Sequence, residues 1–170
     1  MVQVRRWDPR DAPQVHAVGT AFTTNVIYDV IAEEACFCLR QASLDTPLTK
    51  SYPLGTPENP DHAVVAEVGG QIVGYAELAF ESWNRRGSVR HLYVSDSHRG
   101  QGIGSALLDA LETSARALGA RSLWVETQNV NYPAIQFYQR VGFVMTGFDR
   151  SLYGPVSESR EVAIFFERDL

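Results

Sequence analysis

The order of strand-like and helix-like segments predicts an α/β or α+β sandwich with a mixed sheet. Three observations carry this. Short β-type runs dominate 63–94. One strongly amphipathic helix follows at 103–118, and a strand–helix–strand series closes the chain. Runs of both periodicities in one chain call for a sheet with helices packed on it.

Val2 to Trp7 reads as a strand, with Val2 and Val4 alternating against Gln3 and Arg5. Asp8, Pro9 and Asp11 interrupt it, and Asp11 is placed to cap a helix through about Val18. Thr20 to Gln41 reads as a second helical region carrying Ile27, Val30, Ile31, Cys38 and Leu39. Residues 42–61 hold Pro47, Pro53, Pro57, Pro60 and Gly55 and read as a long loop, of the kind that closes over a site. Ala63 to Glu67 and Ile72 to Phe80 form a hairpin about Gly69-Gly70. Trp83 to Gly87 makes the next turn, and Ser88 to Val94 a third strand.

Ile103 to Leu118 places apolar residues at 103, 106, 107, 110, 111, 115 and 118, one face of a helix, with Gly119 as a left-handed stop. Ser122 to Thr127 is a strand. Asn131 caps a helix whose first turn tolerates Pro133 and which runs to Arg140. Phe143–Met145, Ser151–Tyr153 and Glu161–Phe166 supply the last strands.

The 170 residues suit one domain spanning 1–170, with 45% hydrophobic and 21% charged residues. The net charge of -5 argues against nucleic acid as a partner and suits a cationic one. The start MVQVRRWDPRD lacks an apolar core region, and no apolar run reaches the ~18 residues of a membrane helix. Cys36 and Cys38 have no histidine pair near them to complete a zinc site, so no metal is expected. Two lone cysteines fit a reducing compartment as buried thiols, and the cytoplasm is the expected location.

Arg99-Gly100-Gln101-Gly102-Ile103-Gly104-Ser105 lies between the strand ending at Val94 and the strong helix. Glycines let the backbone turn sharply and aim several N–H groups at one point, and the helix N-terminus adds a favourable field for an anion. A pyrophosphate is the natural guest. No Lys-Ser or Lys-Thr follows Gly104, and the spacing is too compressed for a dinucleotide fingerprint.

Val94 to Gly104, with Arg99, Gly102 and Gly104 in the pattern Arg/Gln-x-x-Gly-x-Gly/Ala, resembles the acyl-CoA pyrophosphate motif of the GNAT superfamily of N-acetyltransferases. Trp124-Val125-Glu126-Thr127 resembles that superfamily's fifth strand. Asn131, Ala134, Phe137, Tyr138, Gly142 and Phe143 resemble a further core motif. Residues 123–131, Gly147-Phe148-Asp149, 161–166 and Thr49-Lys50-Ser51-Tyr52 look like streptothricin acetyltransferases, which acetylate a β-lysine amine of a cationic antibiotic. Arg90-His91 stands where those enzymes tend to carry adjacent acidic residues.

The resemblance implies a GNAT fold, a mostly antiparallel sheet flanked by helices and splayed between its fourth and fifth strands. It implies acetyl-CoA as cosubstrate and a small-molecule primary amine as acceptor, attacking directly in a ternary complex; a homodimer is admissible. Leu92, Tyr93 and Val94, with Arg99 to Ser105, Asn131, Ala134 and Tyr138, would hold acetyl-CoA. A backbone N–H at Tyr93 or Val94 would stabilise the thioester oxygen.

Tyr138 would be the general acid, with Tyr132 a weaker substitute. For the base, Glu126 ranks first, His91 second with histidine's ordinary pKa of about 6.5, and Glu81 third; Glu77 shares the face of Tyr75. Tyr28, Asp29, Tyr52, Trp83, Asp149 and Glu161 would face the acceptor. Alternatives are another amine (a polyamine, an amino sugar, a protein N-terminus) and a non-catalytic acyl-CoA-binding module.

Overall fold

A computed structural model describes residues 1–33, 36–54, 62–155 and 161–170. In chain order the elements are β1 (Val2–Arg6), α1 (Ala12–His16), β2 (Phe22–Glu33), β3 (Cys36–Lys50), β4 (Ala63–Val68), β5 (Gln71–Glu81) and β6 (Arg86–Val94). They continue with α2 (Ile103–Ala117), β7 (Ser122–Gln128), α3 (Tyr132–Arg140), β8 (Val144–Asp149) and β9 (Ala163–Asp169). Hydrogen bonds order seven strands as β1-β4-β5-β6-β7-β9-β8 and pair β2 with β3 separately. The chain forms two compact units, one of Met1–Thr20, Ser51–Trp124 and Asp169–Leu170, the other of Ala21–Lys50 and Val125–Arg168.

The first unit is built on the antiparallel run β1-β4-β5-β6. Ile72 to Leu78 are buried without alternation because both faces of β5 are covered. On one face Tyr75 joins Val15, Val18, Ala63, Val65 and Ile72. On the other, glycines let α2 approach. A Cβ on Gly74 would stand 2.9 Å from Leu107 Cδ1, and one on Gly87 3.1 Å from both Leu123 and Leu78. The buried face of α2 is Ile103, Leu107, Leu108, Leu111 and Ala115; of the expected positions Ala106, Ala110 and Leu118 are half-buried, and Leu108 joins the face instead. Gly119 closes the helix at φ +80°.

The helix start near residue 11 differs from expectation. Asp8, not Asp11, supplies the cap, accepting from the Arg10 N–H at 2.9 Å at the head of a 3-10 turn over Pro9–Asp11. The Asp11 carboxylate instead receives both Arg5 guanidinium nitrogens, at 2.7 and 2.8 Å. That hydrogen bonding holds Asp11 below the ordinary carboxylate pKa.

In the second unit the long β2–β3 hairpin replaces the expected helix over Thr20–Gln41 and the first part, 42–50, of the loop expected over 42–61. Its β-branched residues (Thr23, Thr24, Val26, Ile27, Val30, Ile31) fit a pleated strand better than a helix, whatever their spacing. Pro47 is tolerated because the register slips there: Thr24 pairs with Leu48 and Val26 with Ser43, leaving Leu44 to Pro47 opposite Asn25. Cys36 and Cys38 are exposed free thiols on β3, not buried ones. The proline-rich part at 55–61 lies outside the described residues.

In the rest of the unit Ile135, Tyr138, Phe143, Ile164 and Phe166 are buried, the Tyr138 ring lies against those of Phe143 and Phe166, and β8 is antiparallel to β9. Ser151–Tyr153 is a turn rather than a strand. Asp149 Oδ1 accepts from both the N–H and the hydroxyl of Ser151 at 2.7 Å, which folds the chain back locally.

Candidate active site

In the first unit the turn after β6 has the shape its sequence suggests. Gly100 and Gly102 sit at φ +75° and +81°, and a Cβ on either would meet open space. The left-handed backbone, not crowding, is what demands glycine there. The first α2 bond runs from the Ala106 N–H to the Gly102 carbonyl at 3.0 Å. The N–H groups of Ile103, Gly104 and Ser105 therefore precede the ladder, and Gly102 offers no side-chain cap. An uncapped N-terminus of a 15-residue helix behind two left-handed glycines fits a pyrophosphate. Arg99 is anchored at the turn, donating to the Val94 carbonyl at 3.0 Å and pairing with Asp96 at 2.8 Å.

Along β6, Leu92, Tyr93 and Val94 pair with Ala76, Tyr75 and Gly74 of β5. The register then slips at Arg90: His91 faces Glu77, and Val89 faces Leu78. Glu77 is fully buried and accepts the Tyr75 hydroxyl at 2.6 Å. The His91 ring lies beside Tyr75 and Tyr93, with centroids at 6.1 and 5.9 Å, and its buried Nδ1 has no hydrogen-bond partner among the described residues. Glu81 is engaged elsewhere, by the Ser88 hydroxyl, by Asn84 at 3.2 Å and by Arg90 at 4.0 Å. Trp83 is 84% exposed on its turn. The Tyr52 backbone is tied to the Thr20 hydroxyl.

In the second unit Asn131 caps α3, accepting from the Ala134 N–H at 3.3 Å. Tyr138, about two turns on, is buried against Phe143 and Phe166, at 5.6 and 6.2 Å between centroids. Glu126 is half-buried and accepts the Tyr153 hydroxyl; burial raises its pKa above the ordinary carboxylate value. Tyr28 is an anchor. Its hydroxyl accepts from Gln136 at 2.9 Å and Gln41 at 3.2 Å, and its ring stacks on Tyr132 at 5.5 Å. Asp29 stands 4.0 Å from Arg40, and Glu161 pairs with Lys50. Asp149 is held by Ser151, which lowers its pKa.

Sequence reasoning misses Asn129. It is buried, donates to the Tyr28 carbonyl and accepts from the Val162 N–H, both at 2.8 Å. Its own N–H and carbonyl bond the same two residues, at 2.9 and 3.0 Å. An asparagine after a strand carries no local signal of such a role.

With this geometry in hand, comparison with known proteins is informative. The Acetyltransferase (GNAT) family model matches residues 28–143. Streptothricin acetyltransferase of Streptomyces lavendulae is 33% identical over 168 residues, covering 92% of this chain and 89% of that one. The Escherichia coli streptothricin acetyltransferase is 29% identical over 147 residues, covering 85% and 83%.

Among solved structures, nourseothricin acetyltransferase matches with a TM-score of 0.89 and 36% identity over 99% of this chain and 98% of that one. A Bacillus anthracis protein crystallised with acetyl coenzyme A shares the fold over the full length of both chains, at a TM-score of 0.86 and 24% identity. The chain belongs to the GNAT family of acetyltransferases. It is an acetyl-CoA-dependent N-acetyltransferase with the mixed, mostly antiparallel sheet of that family. Among the described residues no helix is long and apolar enough to cross a membrane, and no group of three or more His, Cys, Asp or Glu is disposed to hold a metal.

Proposed function

We propose that residues 1–170 form one cytoplasmic N-acetyltransferase domain that acetylates a primary amine of a small cation, with a streptothricin-type antibiotic as the first acceptor. The observation that carries this is likeness over nearly the whole chain, at 33% and 36% identity, to enzymes named for streptothricin and nourseothricin. The net charge of -5 supports a cationic acceptor, since acidic surface raises its local concentration.

The turn Gly100–Ser105 would hold the pyrophosphate of acetyl-CoA through backbone N–H groups, with Arg99 adding charge. Backbone along Leu92–Val94 would bind the pantetheine arm, and an N–H there would meet the thioester oxygen as charge develops on it. The amine attacks the carbonyl directly, so no covalent enzyme intermediate is required. Tyr138 would donate its phenolic proton to the departing thiolate.

For the amine's proton we favour His91 over Glu126, reversing their order in sequence reasoning. Glu81 is already paired with Arg90, and Glu126 already accepts from Tyr153, whereas the His91 imidazole is in no hydrogen bond or ion pair among the described residues. Glu126, with Asp149 and Glu161, would then supply negative charge to hold the cation.

A thiol-release assay with acetyl-CoA and a panel of streptothricin, polyamines, aminoglycosides, lysine derivatives and peptides tests this reading. Streptothricin should lead. In Tyr138→Phe, turnover of the best acceptor should fall roughly tenfold to a thousandfold while acetyl-CoA binding persists. Preference for a neutral or anionic acceptor would reject the cation argument. Turnover of aminoglycosides or peptides without streptothricin would move the substrate class.

A further inference from the structure

We infer that Glu77 and His91 form a buried carboxylate–imidazole dyad, in which Glu77 is a positioning residue for the proton transfer assigned to His91. The inference rests on that assignment and adds the residue that makes it workable.

Glu77 is fully buried, in the middle of the run Ile72 to Leu78 that is buried throughout. A carboxyl group placed so deep is costly unless it is paired. Glu77 is the cross-strand partner of His91, so the two side chains leave the same face of the β5–β6 hairpin. Directly opposed β-carbons of this kind lie about 4.5–5.5 Å apart. Tyr75, two residues before Glu77 on the same face, donates its hydroxyl to Oε2 at 2.6 Å and fixes that carboxylate. Its ring then lies 6.1 Å from the imidazole, and Tyr93 stacks on the imidazole at 5.9 Å with planes 28° apart. Tyr75 and Glu77 from β5 and Tyr93 from β6 are the titratable groups placed on the face of the imidazole. Arg90, the slipped residue beside it, turns to Glu81.

The proton count explains what the dyad does. In its resting state His91 Nδ1 is sealed from water and has no partner. Chemistry with an acceptor therefore runs through the ring's other nitrogen. When that nitrogen takes the amine's proton, the ring carries N–H at both positions and one positive charge. Nδ1 carries its proton before and after that step, but the new positive charge makes Nδ1–H a stronger donor, and a small rotation of the imidazole would bring it to the carboxylate of Glu77. The amine loses a proton and the imidazole gains it; no proton passes to Glu77.

A double-mutant cycle in the full chain tests this, using the acceptor turned over fastest in the panel above. His91→Asn should lower kcat by roughly tenfold to a hundredfold. Glu77→Gln keeps an oxygen for Tyr75 and the same shape but loses the charge. It should lower kcat by a similar factor, with the KM values and the melting temperature close to wild type. The double variant should lose no more than His91→Asn alone, since each change removes the same device. Tyr75→Phe, which releases the carboxylate but keeps the ring, should give a smaller loss in kcat and serves if Glu77→Gln folds poorly. Full kcat in His91→Asn would overturn the assignment of His91 and the dyad with it. A loss in His91→Asn with full kcat in Glu77→Gln and Tyr75→Phe, or losses that multiply in the double variant, would overturn the dyad and leave His91 standing.

Discussion

The two units hold their elements by different means. The first relies on close apolar approach, with glycines at 74 and 87 removing the side chains that would keep α2 and its neighbours away. The second has an aromatic and aliphatic cluster around Tyr138, but its long hairpin is fixed mainly by amides. Among the described side chains of β2 only Phe22, Thr24 and Tyr28 are buried, and β3 is largely exposed. Tyr28 is then gripped by Gln41, Gln136 and Asn129. Apolar approach leaves a periodic trace in the sequence, whereas a few amides acting at long range leave almost none.

That contrast sets the order of expected stability effects. Asn129→Leu should cost most. It conserves bulk but strands the Tyr28 carbonyl and the Val162 N–H, two buried backbone groups. The cost should be about 3 kcal/mol, seen as a melting temperature roughly 10 °C lower by calorimetry. Gly87→Val should come next. Its β-carbon meets Leu123, Leu78 and Ala115 at 3.1–3.2 Å, and overpacking of that kind costs about 2 kcal/mol. If Gly87→Val proved the more damaging, the contrast between an apolar unit and an amide-pinned hairpin would collapse.

Glu126→Gln should have the smallest effect and the opposite sign. Burial raises the folded-state pKa of Glu126. The folded state therefore holds that proton more tightly than the unfolded chain, and stability declines as pH rises through the raised value. Glutamine still accepts from Tyr153 and carries no charge to desolvate. The variant should melt slightly higher than wild type at pH 7, on the order of 1–2 °C, and the gain should vanish near pH 4. An equal shift at both pH values would show that packing, not ionisation, is responsible.

The parts whose physics is local were legible along the chain. The face of α2, the stop at Gly119, the left-handed glycines at 100 and 102, the hairpin at Gly69-Gly70 and the Asn131 cap each depend on residues within a few positions. The family motifs fall on those same elements, which is why acetyl-CoA was legible. The β2–β3 hairpin emerged from packing instead, where apolar spacing resembled a helix and β-branched content ruled otherwise.

Tertiary structure also decided which aspartate caps the first turn and that the cysteines lie at the surface. The pairing of Glu77 with His91 depends on a register slip at Arg90 between strands fourteen positions apart, and the grip of Asn129 on Tyr28 spans 101 positions. No window along the chain contains either pair, because strand register is settled by packing on both faces of the sheet at once.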